Sequence, residues 1–321
     1  MKWHEPMLLI GAFAAAVASP VAAQQYPVRP IRLIVASAPG GAPDILGRAV
    51  AQKLTESLGQ QVVVDNRAGA SGIIGAELTA RAAPDGYTLL LGATTILAIL
   101  PTLNQKLPYD PARDLTPITL IATAANVVVV HAGVGAKNIA ELVRAAKEKP
   151  LNFASAGNGT PAHLAGEMLN LMAGIRMAHV PYKGAGPALT DLLAGAVQVL
   201  ITSPIAALPH AQSGKLRLLA TTGAQRNPTL PDLPTVAETI PGYEITQWWG
   251  LNAPAATPRA IVDRLQKDTA RSLQQPDVKE RLQAQGAIAI GSTPEEFGRF
   301  IAAERSRIAK LVKQAGIAPS P

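Results

Sequence analysis

No cysteine occurs anywhere in the 321 residues. That single absence excludes a disulfide framework, a thiolate nucleophile and a cysteine-based metal site. Aromatic residues are scarce as well, at 4%, so aliphatic side chains and alanine must build the core. Histidine occurs only five times, at positions 4, 131, 163, 179 and 210. That spread lacks metal-ligand spacing, and neither a metal site nor a cofactor is expected. Charged residues make up 16% of the chain, with a net charge of +7. The basic residues form no block of five or six, so no nucleic-acid face is expected, although the positive balance favours anionic ligands. Long apolar runs are missing too. The stretch Leu8–Val17 is short for a membrane span, and no other run is long enough.

That short run has a different reading. Lys2 precedes it, and Val21-Ala22-Ala23 follows as a small-residue cleavage site before Gln24. Residues 1–23 therefore read as a secretory signal peptide and predict a periplasmic protein; the alternative is an uncleaved membrane anchor. Cleavage removes Lys2 and Glu5 together and leaves the net charge unchanged.

What the chain does have is glycine-rich loops at strand ends. Ser37-Ala38-Pro39-Gly40-Gly41-Ala42-Pro43-Asp44 follows the apolar run Ile31–Ala36. Behind it, Leu46, Val50, Leu54 and Leu58 recur on one helical face over about Asp44–Leu58. Pro43 suits the first position of that helix. Helix-start N–H groups facing the loop would accept a carboxylate or phosphate. A strand at Val62–Val64, a helix at Ile73–Ala82 and a strand at Tyr87–Leu91 leading to Thr94-Thr95 complete an alternation that predicts a parallel sheet. Ligands of such sheets sit beyond the carboxyl ends of the strands.

Pro101–Pro117 reads as surface, and Asn126 separates the apolar runs Ile118–Ala122 and Val127–Val130. A second alternation then begins, with helix Asn138–Lys147, strand Leu151–Ala154, the loop Ser155-Ala156-Gly157-Asn158-Gly159-Thr160 and helix Pro161–Ala173. It continues through strand Met177–Val180, helix Pro187–Ala194, strand Val197–Ile201 ending at Thr202-Ser203, helix Ile205–Gln212 and strand Leu216–Thr221. Tyr243–Leu251 is a returning strand, and helices over 258–273, 276–284 and 293–315 form the tail. The fold class is α/β, with two units of similar kind but unlike sequence.

Several chemistries fail on spacing. Gly157-Asn158-Gly159-Thr160-Pro161-Ala162 matches the G-x-G-x-x-A dinucleotide fingerprint, but no acidic residue follows the next strand to hold a ribose. No phosphate loop of the G-x-x-x-x-G-K type and no G-x-S-x-G elbow occurs. A hydrolase built on Ser155 or Ser203 with His163, His179 or Asp191 is not excluded, although no spacing calls for it. His163 either faces a ligand or packs and hydrogen-bonds within its helix. Lys183 either meets a carboxylate or is solvated. Of Trp248 and Trp249, strand alternation lets one pack in the core while the other faces a cleft; both packing in the core is equally open.

These residues together strongly resemble the periplasmic substrate-binding proteins of tripartite tricarboxylate transporters, the Bug-type receptors. The resemblance rests on Tyr26-Pro27 with Arg29-Pro30-Ile31, Ala38-Pro39-Gly40-Gly41 with Asp44, Val64-Asp65-Asn66-Arg67, and Pro84-Asp85-Gly86-Tyr87-Thr88-Leu89-Leu90. Leu107-Pro108-Tyr109-Asp110, Ser155-Ala156-Gly157-Asn158-Gly159, Tyr182-Lys183-Gly184, Leu208-Pro209-His210 and Leu233-Pro234-Thr235-Val236 extend it along the chain. It implies a two-domain Venus-flytrap fold, with one lobe from residues 26–126 plus 248–321 and the other from 127–247. It also implies a small carboxylate ligand, no catalysis, and membrane permease subunits as partners of a monomeric receptor; a sensor feeding a signalling kinase is the alternative. The ligand-binding residues so implied are Ala38, Pro39, Gly40, Gly41, Ala42, Pro43, Asp44, Thr94, Thr95 and Ser155 to Thr160. His163, Lys183, Thr202, Ser203 and Trp248 join them from the residue reading. Two departures stand out: Pro43 where the family usually has Thr, and Thr202-Ser203 where it usually has Asp-Asn. The second predicts that amino acids are poor ligands.

Overall fold

The structure, a computed structural model, describes residues 26–317 apart from 104–105, 212–213 and 285. The signal peptide at 1–23 and the expected helix end at Gln212 lie outside the described residues.

Strand β1 (Ile31–Val35), helix α1 (Ala42–Leu58), β2 (Val62–Asn66), α2 (Ile73–Ala80) and β3 (Thr88–Ala93) come first. A π-helical turn, Thr95–Ile99, runs into α3 (Leu100–Leu103), and α4 (Pro111–Asp114) leads to β4 (Leu115–Ala125). Next are β5 (Val127–His131), α5 (Ile139–Glu148), β6 (Asn152–Ser155), α6 (Pro161–Ala173), β7 (Ala178–Pro181), α7 (Ala185–Leu193), β8 (Val199–Thr202), α8 (Pro204–Ala211) and β9 (Leu216–Thr221). Last come β10 (Thr246–Pro254), α9 (Arg259–Leu273), α10 (Pro276–Ala284), β11 (Ala287–Ala289) and α11 (Pro294–Ala315).

Two sheets result. The first has six strands in the order β11-β4-β10-β3-β1-β2, and the second five in the order β7-β6-β8-β5-β9. Strands β1, β2 and β3 are parallel, as the strand–helix alternation predicts. The sheet is nevertheless mixed, because β10 returns antiparallel between β3 and β4. The second sheet repeats the arrangement: β6 is parallel to β7 and β8, while β5 runs antiparallel to β8 and β9. The chain passes between the sheets twice, at Asn126 and through residues 222–245.

Local chemistry explains the helix ends. Thr293 and Glu296 form a capping box at the start of α11. Thr160 caps α6 by accepting the His163 N–H. Pro43 falls one residue later than the first helical position, because Ala42 already opens α1. The stretch 101–117 is not all surface. Leu103 and Tyr109 are buried, and the Tyr109 hydroxyl donates to the Ile96 carbonyl at 2.8 Å. A proline-rich composition hid a single aromatic anchor there.

Two glycines set the packing around the sheets. A β-carbon on Gly166 of α6 would lie 2.0 Å from the Phe153 ring of β6, and one on Gly250 of β10 would lie 2.1 Å from Phe297 of α11. Only a missing side chain lets those rings seat. The largest apolar cluster is continuous across both lobes, from Ile34 and Leu90 through Trp248, Phe297 and Leu311 to Phe153 and Leu164. Separate clusters back the outer faces of the two sheets.

Candidate functional site

Between the lobes lies a cavity of about 270 Å³. That is just under the roughly 300–1,000 Å³ of pockets for drug-sized ligands, so its occupant is small. Ala42 and Pro43 enter from the first turn of α1, Ala93, Thr94 and Thr95 from the end of β3, Ala156 and Thr160 from the loop before α6, and Pro161 and Ala162 from its first turn. Thr202 and Ser203 enter from the end of β8, Ala185 from α7, Asn126 from the first chain crossing, and Gln247, Trp248 and Trp249 from β10. Strand ends of both sheets thus converge on it, as expected for open α/β sheets.

No lysine, arginine, aspartate or glutamate is among its described lining residues. Recognition must therefore use neutral donors. The hydroxyls divide into two groups. Thr94 Oγ1 accepts the Trp248 N–H at 2.7 Å and donates to the Trp248 carbonyl at 3.3 Å, fastening β10 beside β3. Thr160 Oγ1 is committed to the Gly157 carbonyl and to its cap. The hydroxyls of Thr95, Thr202 and Ser203 have no hydrogen-bond partner among the described residues, which leaves them for a ligand. Asn126 and Gln247 add two side-chain amides. Neither was singled out from the sequence, where Asn126 served only to mark a break between apolar runs.

The glycine-rich loop after β1 is organised differently from the open anion cradle expected of it. Asp44 is 4% exposed, and its carboxylate accepts from the Gly40 N–H at 2.9 Å, Arg48 Nε at 3.0 Å and Asn66 Nδ2 at 3.0 Å. Burial alone would push this carboxyl up, but those bonds outweigh it and hold it below the usual carboxylate value. The N–H groups of Asp44 and Ile45 both turn back to the Gly41 carbonyl. Because Pro43 has no N–H, only Ala42 keeps a free one at this helix start. The loop's positive end is thus largely filled by its own side chain. Ala38, Pro39, Gly40 and Gly41 are exposed and lie outside the cavity wall.

The second loop is also self-supported. Ser155 is fully buried; its Oγ lies 2.7 Å from His179 Nε2 and accepts the Gly157 N–H at 3.2 Å. His179 stacks on His163 with ring centroids 4.0 Å apart, and on Phe153 at 4.8 Å. Burial, helped by the neighbouring His163, lowers the His179 pKa to about 4. His163 Nδ1 accepts the Gly159 N–H at 3.2 Å. The serine and histidines that a hydrolase would need do meet, but behind the cavity wall rather than in it. They brace the loop that carries Ala156. Gly159 faces Leu100 and Leu103 of the opposite lobe. Asn158 and Lys183 are exposed and outside the wall.

Both tryptophans are buried, Trp248 fully and Trp249 at 5% exposure, and both reach the cavity wall. Trp248 packs edge-on against Phe297 and Phe300, and its Nε1 donates to Glu304 at 3.2 Å. Trp249 belongs to the cluster on the other face of the sheet, as strand alternation requires.

Two lobes joined by two crossings, with a small ligand-sized cavity between them, define a two-domain α/β binding protein of the periplasmic-binding-protein fold. The chain belongs to the tripartite tricarboxylate transporter receptor family, whose model matches residues 46–317. It is 39% identical to BugT of Bordetella pertussis over 98% of this chain and 99% of that protein. Among solved structures, an R. palustris protein with adipate superposes with a TM-score of 0.85 at 37% identity, over 92% of this chain and all of the other. The periplasmic binding protein BugD gives a TM-score of 0.81 at 34% identity, over 91% and 99%. A malate-bound protein of Rhodopseudomonas palustris gives 0.80 at 31%, over 89% and 100%.

Proposed function

We propose that this protein captures a small carboxylate between its lobes and delivers it, unaltered, to the membrane permease of a tripartite tricarboxylate transporter. The observation that carries this reading is a cavity walled by both lobes and by the Asn126 crossing, at the strand ends of both sheets. A ligand there contacts both lobes at once, so binding favours the closed arrangement. The carboxylate is held by the uncommitted hydroxyls of Thr95, Thr202 and Ser203, by side-chain amides, and by the Ala42 and Ala162 N–H groups at two helix starts. Ala93, Ala156, Pro161, Ala185, Ile201 and the tryptophan rings leave room for an apolar body. That favours a dicarboxylate with a methylene chain, or an aromatic carboxylate, over a heavily hydroxylated acid. Adipate in one relative and malate in another support the carboxylate class. Thr202-Ser203 offers no carboxylate to an ammonium group, so amino acids are weak ligands.

We place the protein in the periplasm as a monomer, exported by cleavage after residue 23. Its lobes are residues 26–126 with 248–321, and 127–247. A thermal-shift screen of the mature protein against adipate, malate, citrate, benzoate and aspartate tests the reading. An unaltered carboxylate raises the melting temperature by mass action, and mass spectrometry recovers it unchanged. A screen in which no carboxylate shifts the transition, or recovery of a reaction product, overturns it.

A further inference from the structure

The two chain crossings are tied together directly. The Asn126 N–H donates to Thr222 Oγ1 at 2.9 Å, and the Thr222 N–H donates back to the Asn126 carbonyl at 2.8 Å. Thr222 Oγ1 in turn donates to the Ile245 carbonyl at 2.6 Å, and the Ile245 N–H donates to the Thr222 carbonyl at 2.9 Å. Gln247 Nε2 donates to Asn126 Oδ1 at 3.4 Å. This knot joins the residue where the chain leaves the first lobe to the segment by which it returns.

One atom of the knot is unused. Asn126 is 3% exposed and Thr222 fully buried, yet Asn126 Nδ2 has no hydrogen-bond partner among the described residues. A buried donor left unmade costs free energy that the rest of the fold must offset. Asn126 also forms part of the cavity wall, beside Gln247. Every other polar group of this residue is engaged, so rotating the side chain away would sacrifice an existing bond. The amide is held in place with one donor free.

We propose that Asn126 Nδ2 donates to an oxygen of the bound carboxylate, so that the ligand completes the hydrogen bonding of the hinge itself. This rests on the carboxylate reading above and adds a specific residue and consequence to it. Ligand binding then does more than bridge the two lobes. It removes an unmade bond at the pivot and so favours the hinge geometry in which the donor and the ligand oxygen meet. The recognised group is a carboxylate oxygen, an acceptor only. A ligand presenting an ammonium at this point would leave the amide unpaired.

The test uses the mature full chain, calorimetric titration with adipate, malate, citrate and benzoate, and small-angle scattering with and without the tightest of the four. Asn126→Ala keeps every backbone bond of the knot and removes the donor together with the Oδ1 that accepts from Gln247, whereas Asn126→Asp keeps that acceptor. Loss of a hydrogen bond to a charged group predicts affinity weaker by about 10- to 100-fold. Asn126→Asp keeps the shape but substitutes an acceptor with a negative charge, and is expected to bind more weakly still. In both variants the ligand-induced compaction seen in scattering shrinks relative to wild type, measured at saturating ligand where Asn126→Ala allows it. Melting temperatures without ligand report whether the variants fold. If the wild type binds a carboxylate and a folded Asn126→Asp binds it equally well, the role of Asn126 is overturned while the carboxylate reading stands. If the wild type binds none of the four, both fall together.

Discussion

Replacing Gly166 by alanine tests how the second lobe holds its cavity-lining loop. In the interior of a helix this change ordinarily stabilises by about 1 kcal/mol, because glycine pays more backbone entropy. Here the new methyl would sit 2.0 Å from one carbon of the Phe153 ring and 2.5 Å from two others. The ring is fully buried and pinned between α6 and the His179 imidazole, so it cannot swing into solvent. Overpacking costs about 1–3 kcal/mol, and contacts this short with a confined ring belong at the upper end. The net loss is about 2 kcal/mol, which for a chain of this size lowers the melting temperature by about 3 °C. The displacement also travels. Phe153 stacks on His179, and His179 holds Ser155 at 2.7 Å, just before the loop that carries Ala156 into the cavity wall. Weaker ligand binding is therefore expected beyond the loss of stability. Thermal unfolding by circular dichroism, followed by titration well below the transition, measures both effects. Adding Phe153→Leu to Gly166→Ala should recover about half the lost stability, because the two changes share one contact and are not additive. A single variant that melts at or above the wild-type temperature would refute the steric reasoning and show that helix propensity wins.

Two further outcomes follow from the site. Thr202→Val keeps the shape of the side chain but removes a hydroxyl that no protein group uses; the melting temperature should hold while ligand affinity falls about 2- to 12-fold, the worth of an ordinary hydrogen bond, as read by calorimetry. Because the folded His179 pKa is lowered to about 4 from an ordinary value near 6.5, the unfolded chain binds the extra proton between those values. Stability from this group is complete above about pH 6.5 and is lost as pH falls toward 4. His179→Asn should flatten that part of a melting-temperature profile, and an unchanged slope between pH 4 and 6.5 would show that His179 contributes nothing to it.

The strand–helix alternation was legible because the β-α turns carry strong punctuation: Gly40-Gly41 after β1, Gly157 and Gly159 after β6, and Pro181 at the end of β7. The antiparallel insertion of β10 was not, since nothing local in Thr246–Pro254 says which strands will flank it. Strand β11 is only three residues long, and its pattern is too short to separate from a loop. At the site, sequence reasoning found the loops but not the division of labour within them. Thr94 and Thr95 are adjacent and chemically identical, yet one fastens β10 and the other has its hydroxyl free, a difference that arises only when residue 248 arrives from 154 positions away. Asp44 was legible as part of the first loop, but its inward fold depends on Asn66, which comes from the next strand. Asn126 gave one signal, a lone amide between two apolar strands, which read equally well as a plain boundary.

That no ionic side chain is among the described lining residues of the cavity separates arrival from residence. The net charge of +7 acts on an anion at a distance, where salt screens it, and so governs how often ligand and protein meet. On the proposed reading, an anion inside is held by hydroxyls, amides and backbone N–H groups, and its escape owes little to the ions in the surrounding fluid. Ionic strength should therefore tune the rate of loading far more than the dwell time. On that reading, such a carrier fills according to the saltiness of its compartment and empties according to how readily its lobes part.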